Sequence, residues 1–439
     1  MPPGHCVHSE AMPKLLVIAD DLSGATDVGV QFAREGVRAF VTIQAANACR
    51  ELAELFAFHE VVLVDIESRH VSPDEAARRV TAAVAKASAA GIKLFYKKTD
   101  STLRGNVGAE LDALLKSSGE RTLCFLPAHP ALGRTTRDGV HFVHGKPLHE
   151  SAFAIDPRSP VSESYVATVL ARQAGSPVTL VRQNELEAFA QGPPAGLVLF
   201  DAETEADVRR AASAIQESGR LTVLAGSAAF ASCLPELVPF ARESPARARV
   251  PGRLLVINGS LNEVAFRQCS AARKNGFASV SLTAPALLAD RTEGEDARIT
   301  IADETVSLLA NGHDVVLGSV QDRDECASFE WAGMQISSHI EDWPERIALN
   351  TGHVVRRILS RREGHEKNGP RFALVVFGGD TLAGIARANG WKGFVPRDEI
   401  LPGVAVCEVR EQRGLVLLTK PGGFGDEDVL LRLRALATP

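Results

Sequence analysis

The chain has 439 residues, of which 45% are hydrophobic and 23% charged, with a formal net charge of -6. A single core stops growing at roughly 250–300 residues, so the length predicts two domains, and the charge leaves no overall basic field for nucleic acid or an anionic membrane. No run of 18 or more apolar residues occurs, the first residues MPPGHCVHSEAMPK lack a signal core, and the seven cysteines lie far apart without a Cys-x-x-Cys pair, which together predict a cytoplasmic protein with a ragged leader and reduced thiols, not a disulfide frame or a zinc site.

From residue 14 onward, short β-rich runs alternate with amphipathic helical stretches, the pattern of parallel α/β sheets. Strands are expected at KLLVIAD (14–20), VRAFVTI (37–43), VVLVDIE (61–67), KLFYKKT (93–99), TLCFLPA (122–128), GLVLFDA (196–202) and TVLAGS (222–227). The segment SPDEAARRVTAAVAKASAAG (72–91) predicts the clearest helix: Ser72 caps it, Pro73 suits its first position, Asp74 and Glu75 complement the dipole, and Gly91 ends it. Periodicity breaks at ESPARARVPG (243–252), which separates an N-terminal domain (14–242) from a C-terminal one (253–439). Further strands are expected at RLLVING (253–259), ASVSLTA (278–284), DVVLGSV (314–320), FALVVFGG (372–379), VAVCEVR (404–410) and LVLLTKPGG (415–423). The fold class is therefore α/β, with two domains, each a mainly parallel β-sheet flanked by helices, and a ligand cleft between them.

Ligands of open α/β sheets bind beyond the carboxyl ends of strands. At the first such end, IADDLSGATD (18–27), Asp20 and Asp21 are adjacent; such a pair calls for a cation, a hydroxyl or a helix N-terminus, or else Asp21 simply caps the next helix. DIESRH (65–70) offers Arg69, whose guanidinium suits a carboxylate. KKTDSTLRG (97–105) crowds Lys97, Lys98, Asp100, Ser101 and Arg104 onto one strand tip ahead of Gly105 and Gly108, a pattern for an anion site in which Asp100 accepts a proton from a bound hydroxyl. PAHPALGRTTRDGVHFVHGKPLHES (127–151) supplies a bend at Gly133, the cation Arg134, the hydroxyls Thr135 and Thr136, and a hairpin turning at Gly145. His129, His141, His144 and His149 match no compact zinc spacing and point to hydrogen bonding. These four clusters predict a pocket for a small hydroxylated anion.

The second half uses glycine. VINGSLNEVAF places Gly259 and Ser260, VVFGGDTLAGIARANG places Gly378, Gly379, Asp380 and Thr381, and LTKPGGFGDEDVLLRL places Gly422, Gly423, Phe424 and Gly425, each between a strand and a helix. Such turns offer backbone N–H groups to phosphate, and Asp380 and Asp426 are available for a metal-bound nucleotide. Neither a Walker motif nor a G-x-G-x-x-G fingerprint is present. An anion pocket in one domain and a phosphate site in the other is the division of labour of a kinase.

The motifs IADDLSGATDVGVQFAREG, YKKTDSTLRGNVGAE, PAHPALGRTTRDGVHFVHGKPLHESAFAIDP, FGGDTLAGIA and TKPGGFGDEDVL resemble, in order and across nearly the whole chain, those of the four-carbon acid sugar kinase family, which phosphorylates threonate, erythronate or their oxidised relatives with ATP. The resemblance implies substrate contacts from Asp20, Arg69, Asp100, Ser101, Arg104, Arg134, Thr135 and Thr136. It implies nucleotide contacts from Ser260, the turn Gly378, Gly379, Asp380, Thr381, and the turn Gly422, Gly423, Phe424, Gly425. YKKTDSTLRG resembles the threonate/erythronate branch, implying D-threonate as substrate, with D-erythronate the near alternative and 3-oxo-tetronate behind it. Departures at Ser23, His129 and Pro421 bear on fine substrate choice.

The expected chemistry is in-line transfer of the γ-phosphoryl group of ATP, with Mg²⁺ on ligands left unassigned, to the terminal hydroxyl of the sugar acid. Arg69, Arg104 and Arg134 are expected to clamp the carboxylate, Asp20 or Asp100 to orient or deprotonate the hydroxyl, and Lys98 to neutralise transferred charge. Domain closure would exclude water. A non-catalytic sugar-acid sensor would not need the glycine turns, and an aldolase or dehydrogenase would need a Schiff-base lysine or a dinucleotide fingerprint. Partners are expected to be small molecules, with no nucleic acid and no membrane, and exposed strand edges could pair two copies into a homodimer.

Overall fold

The computed structural model describes residues 13–43, 49–156, 159–245, 249–289, 291–320, 323–336, 343–363 and 371–438; the expected leader and Cys6 lie outside them. In chain order the strands of the first half are β1 (Leu15–Ala19), β2 (Ala39–Thr42), β3 (Val61–Asp65), β4 (Leu94–Lys98), β5 (Thr122–Leu126), β6 (Arg134–Arg137), β7 (Val140–Val143), β8 (Lys146–Pro147), β9 (Val178–Val181), β10 (Gly196–Phe200) and β11 (Val223–Gly226). The second half adds β12 (Val250–Pro251), β13 (Arg253–Asn258), β14 (Ala278–Ser281), β15 (Val315–Gly318), β16 (Phe372–Phe377), β17 (Gly393–Leu401), β18 (Val404–Val409), β19 (Val416–Lys420) and β20 (Ala437–Thr438).

The fold is α/β, with a large, mainly parallel sheet flanked by helices. Among the described residues fifteen strands share one sheet, in the order β14, β15, β13, β16, β19, β18, β17, β2, β3, β1, β4, β11, β5, β10, β9. The two parallel sheets expected from the sequence are thus two blocks of one sheet, joined where β17 pairs antiparallel with β2 through Gly393 to Thr42 and Phe394 to Val41. Neither β9 nor β17 was among the expected strands. The apolar strands are apolar because both faces are covered: every residue of β1, LLVIA, is buried between β3 and β4.

The helices that matter for the site follow their local signals. Helix α1 (Leu22–Arg34) is capped by Asp21, whose carboxylate accepts from the Gly24 N–H at 2.7 Å. After α2 (Cys49–Phe58), α3 (Pro73–Ala89) is capped by Ser72 with Pro73 first and Asp74 and Glu75 in its opening turn. Helix α4 (Val107–Ser118) follows the KKTDSTLRG tip. Cys124, Cys233, Cys269 and Cys407 are buried free thiols and Cys326 a partly exposed one. Among the described residues no helix is long and apolar enough to cross a membrane.

Three antiparallel steps, β2 to β17, β17 to β18 and β18 to β19, separate the blocks, so their strands run in opposite senses. Neighbouring strands rotate by roughly 20–25°, so the six steps from β1 to β16 turn one block by roughly 120–150° against the other. Register shifts in β17 after Pro396 and Glu399 add to the bend. The carboxyl ends of the two blocks are thereby brought together at the start of α1. There Thr26 and Thr419 share a buried 2.8 Å hydroxyl–hydroxyl bond, and a Cβ at Gly379 would lie 3.1 Å from an Asp21 oxygen.

Thr26 Oγ1 gives its one proton to the Ser23 carbonyl at 2.9 Å, so Thr419 must donate in the bond between them. Thr26→Val, which orphans the buried Thr419 hydroxyl, is expected to lower stability by about 1–3 kcal/mol, and Thr419→Val by less than about 1 kcal/mol. Chemical denaturation of the two variants and their combination checks this; a larger loss for Thr419→Val than for Thr26→Val would show that the proton runs the other way.

Candidate active site

The floor of the site is built at the ends of β1, β3 and β4. Arg69, on the loop after β3, donates from Nε to Asp20 at 2.7 Å and from Nη1 to Asp21 at 2.6 Å, with Asp100 at 3.8 Å from its Nη2. Asp100 is gripped by Arg104 through Nε at 2.8 Å and Nη2 at 3.0 Å, and also accepts from the Thr102 hydroxyl. Arg104 reaches on to Asp156 at 3.1 Å. Burial alone would raise both carboxyls, but Arg104 and Arg69 hold Asp100 well below the usual carboxylate range, and Arg69 with Lys97 and Lys98 holds Asp20 below it. The two aspartates nevertheless differ. Both Asp100 oxygens are engaged, whereas Asp20 Oδ1 is buried and has no partner.

The two lysines of the KKTDSTLRG tip point to opposite faces of β4. Lys97 is fully buried in an ion pair with Glu110 of α4 at 3.2 Å, and Glu110 also accepts from the Ser68 hydroxyl, so this pair braces the Arg69 loop. Lys98 lies on the α1 side, 3.2 Å from where a Cβ on Gly24 would stand, and donates to the Thr99 carbonyl at 2.8 Å.

The segment expected as a bend at Gly133 to Thr136 is a left-handed Gly133, φ +70°, followed by β6, which forms a three-stranded sheet with β7 and β8; Gly145 turns the β7–β8 hairpin as expected. Side chains alternate along β6, so Arg134 and Thr136 share one face while Thr135 takes the other. The Thr136 hydroxyl is committed to His141 Nδ1 at 3.0 Å, whose Nε2 donates to the Ser101 carbonyl at 2.9 Å. Burial pulls the His141 pKa down to about 4 and that of His129 to about 3, so both rings are neutral.

Arg134 is buried, lies 5.9 Å from the Phe153 ring and 5.1 Å from the Phe424 ring, and has no carboxylate partner among the described residues. Burial draws its pKa down to about 10, still charged at neutral pH. Sequence reasoning missed Phe153 and Asp156, which close the arginine cluster; Phe153 has no polar signal to find. It also missed Thr99.

Buried polar atoms normally find partners. Among the described residues twelve side-chain atoms do not, and five of them gather here: Asp20 Oδ1, Thr99 Oγ1, Ser101 Oγ, His129 Nδ1 and Arg134 Nε. They stand at the ends of β1, β4 and β5 and the start of β6, where a ligand with hydroxyls and a carboxylate would satisfy them.

Across the cleft the three glycine turns are stacked. A Cβ at Gly259 would strike the Thr381 hydroxyl at 1.7 Å, one at Gly422 would strike Ser260 Oγ at 1.9 Å, and Gly379 abuts Asp21 and Ser23. Ser260 N–H donates to Asn258 at 3.1 Å, and its hydroxyl accepts from Asn262 N–H at 3.2 Å. Gly378, φ +102°, and Gly425, φ +80°, hold conformations that favour glycine. Asp380 faces His70 from the other half at 3.9 Å. No group of three or more His, Cys, Asp or Glu able to hold a metal occurs among the described residues.

Residues 15–234 match a family described as a sugar-binding N-terminal domain, and residues 255–430 one described as a nucleotide-binding C-terminal domain. The chain is 31% identical over 430 residues to a D-threonate kinase of Salmonella typhimurium, covering 95% of this chain and 96% of the relative. It is 29% identical over 403 residues to a D-erythronate kinase of Heliobacterium modesticaldum, covering 89% of each, and 29% identical over 454 residues to a 3-oxo-tetronate kinase of Burkholderia multivorans, covering 98% of each. A crystal structure from Salmonella typhimurium superposes with a TM-score of 0.71 at 20% identity, over 95% of this chain and 98% of that one. One from Haemophilus influenzae gives 0.66 at 19%, over 96% and 99%. At those identities the likeness is one of fold.

Asp27, in the second turn of α1, is buried near Lys98; burial, opposed by Lys98 and reinforced by Glu399 and Asp21, raises its carboxyl to about 7. A folded pKa above the unfolded one means that its stabilising protonation is complete at low pH and is lost as pH rises through 7. Asp27→Asn is therefore expected to stabilise the protein most above pH 7, with the difference from wild type shrinking toward pH 4. Thermal unfolding at pH 8 and pH 5 checks this; an advantage greater at pH 5 would refute it.

Proposed function

Because this chain belongs to the four-carbon acid sugar kinase family, with its sugar-binding N-terminal and nucleotide-binding C-terminal domains, we propose that it transfers the γ-phosphoryl group of ATP to the 4-hydroxyl of D-threonate. The observation that carries this reading is the cluster of unpartnered buried polar atoms at the strand ends, facing three stacked glycine turns. Curated relatives named D-threonate kinase support the substrate choice. D-Erythronate, which differs in configuration at one carbon, is the second reading, supported by a relative at 29% identity.

In this reading Asp20 acts on the hydroxyl, because Arg69 keeps it ionised and its Oδ1 is open, whereas Asp100 is saturated by Arg104. Asp100 and Arg69 then organise the floor. Arg134 takes the substrate carboxylate: a buried guanidinium without an acid is costly, and a bound carboxylate offsets that cost. Ser101, Thr99 and His129 hydrogen-bond the hydroxyls in between. Lys98, close enough to Asp20 to lower its pKa, neutralises charge on the transferred group. The turns at Ser260, Gly378 to Thr381 and Gly422 to Gly425 receive the triphosphate through their N–H groups. Magnesium held on nucleotide phosphates needs only one or two protein carboxylates, and the exposed Asp380 and Asp426 beside the turns suit that need; the ion would neutralise phosphate charge.

An ADP-release assay with Mg-ATP against both enantiomers of threonate and erythronate, with glycerate and 3-oxo-tetronate, tests the reading. The expected result is turnover concentrated on D-threonate; silence on all four-carbon acids would sink it. Asp20→Asn is expected to lower kcat by about 10²–10⁴ with the KM for ATP little changed. Arg134→Lys, which keeps the charge but loses the fork, is expected to raise the KM for the acid by at least about tenfold. The opposite pattern, KM effects at Asp20 and kcat effects at Arg134, would exchange their roles.

A further inference from the structure

The turn after β19 takes its shape from two buried side chains that no motif singled out. Lys420 is fully buried and points its Nζ beneath the turn, donating to the carbonyls of Pro421 at 2.8 Å, Gly422 at 3.2 Å and Phe424 at 2.8 Å. The Phe377 ring lies 4.2 Å from the same nitrogen. Gln268, fully buried on the helix Glu263–Lys274, turns the two N–H bonds of its Nε2 toward three carbonyls, those of Phe424 at 2.9 Å, Gly425 at 3.0 Å and Asp426 at 2.9 Å, one N–H being shared between two of them. An ammonium carries three N–H bonds, and three acceptors meet it here. Burial pulls the Lys420 pKa down to about 7, and the carbonyls and ring face favour the charged form against that pull.

In a trans peptide the C=O of one residue and the N–H of the next point in opposite directions. Drawing in the carbonyls of Pro421, Gly422, Phe424, Gly425 and Asp426 therefore turns the N–H groups of Gly422, Gly423, Gly425, Asp426 and Glu427 outward. Among the described residues none of these N–H groups donates to a protein acceptor. Such a run of outward amides is an anion-binding concavity.

We propose that Lys420 and Gln268 are positioning residues for the nucleotide phosphates, holding the carbonyls of the turn in the interior so that its N–H groups form an anion nest at the cleft. The proposal rests on the reading of the Gly422 to Gly425 turn as a nucleotide site. Neither side chain touches the phosphates; each acts through the backbone.

Calorimetric titration of the full chain with ADP and with adenosine tests it. Wild type is expected to prefer ADP, and a wild type that binds neither would sink the nucleotide reading along with this one. Lys420→Met and Gln268→Met keep the bulk and remove the donors; each is expected to weaken ADP by at least about tenfold and to leave adenosine within about twofold. A folded variant, by circular dichroism, that keeps the wild-type ratio of the two affinities overturns the proposal while leaving the nucleotide site intact, and so does one that loses both ligands equally. If Lys420→Met does not fold, Gln268→Met, which leaves the ammonium in place, carries the same outcomes.

Discussion

Three carboxylates, Asp20 and Asp21 after β1 and Asp100 after β4, crowd one site, and they cannot do so without a counter-charge. Arg69 supplies it, binding Asp20 and Asp21 and lying 3.8 Å from Asp100. Its fork is held in turn by the loop that Ser68 ties to Glu110, and Glu110 is neutralised by Lys97. An unpaired carboxylate at this depth would take up a proton; with Arg69 in place Asp20 stays ionised and keeps one oxygen free. The ionised state of Asp20 follows from that one guanidinium, which also holds the second oxygen of Asp21 while the first caps α1.

Much of this was legible beforehand because it is local. Strand tips carrying charge, glycines between strand and helix, and Ser72 with Pro73 opening a helix are signals confined to a few consecutive residues. What escaped depends on distance. Strand β17, GFVPRDEIL, contains a proline and three charged residues, and neither period nor propensity marks it as a strand. It pairs because β2 presents an edge and α1 packs against it, with Gly29 leaving room for Pro396. Lys97 and Lys98 are equivalent in sequence, and only the pleat of β4 sends one to Glu110 and the other to the start of α1 beside Gly24. Lys420 is another case: a lysine before a Pro-Gly-Gly turn gives no hint that it is fully buried.

The two halves meet through more than the sheet. Arg134 belongs to the acid side, yet it is stacked by Phe153 from its own half and by Phe424 from the glycine turn opposite. Arg387 likewise crosses to Glu67, and Gln31 and Arg34 of α1 reach Glu399. Arg134, Phe424 and Glu67 among them lie within a few positions of a strand end. The cleft is therefore shaped by the same side chains that stitch the halves together, and a change of orientation between the halves moves Phe424 relative to Arg134.

The joint between β2 and β17 also sets a timetable for the newborn chain. Val41 and Phe394 are partners separated by about 350 residues, and at a synthesis rate of roughly 5–20 residues per second the second is made roughly 20 to 70 s after the first. For that interval the open flank of β2 has no native partner, and an unpaired flank is a template for any strand that arrives first, including the β17 of a neighbouring chain on the same message. The short length of β2, four residues, keeps that template small.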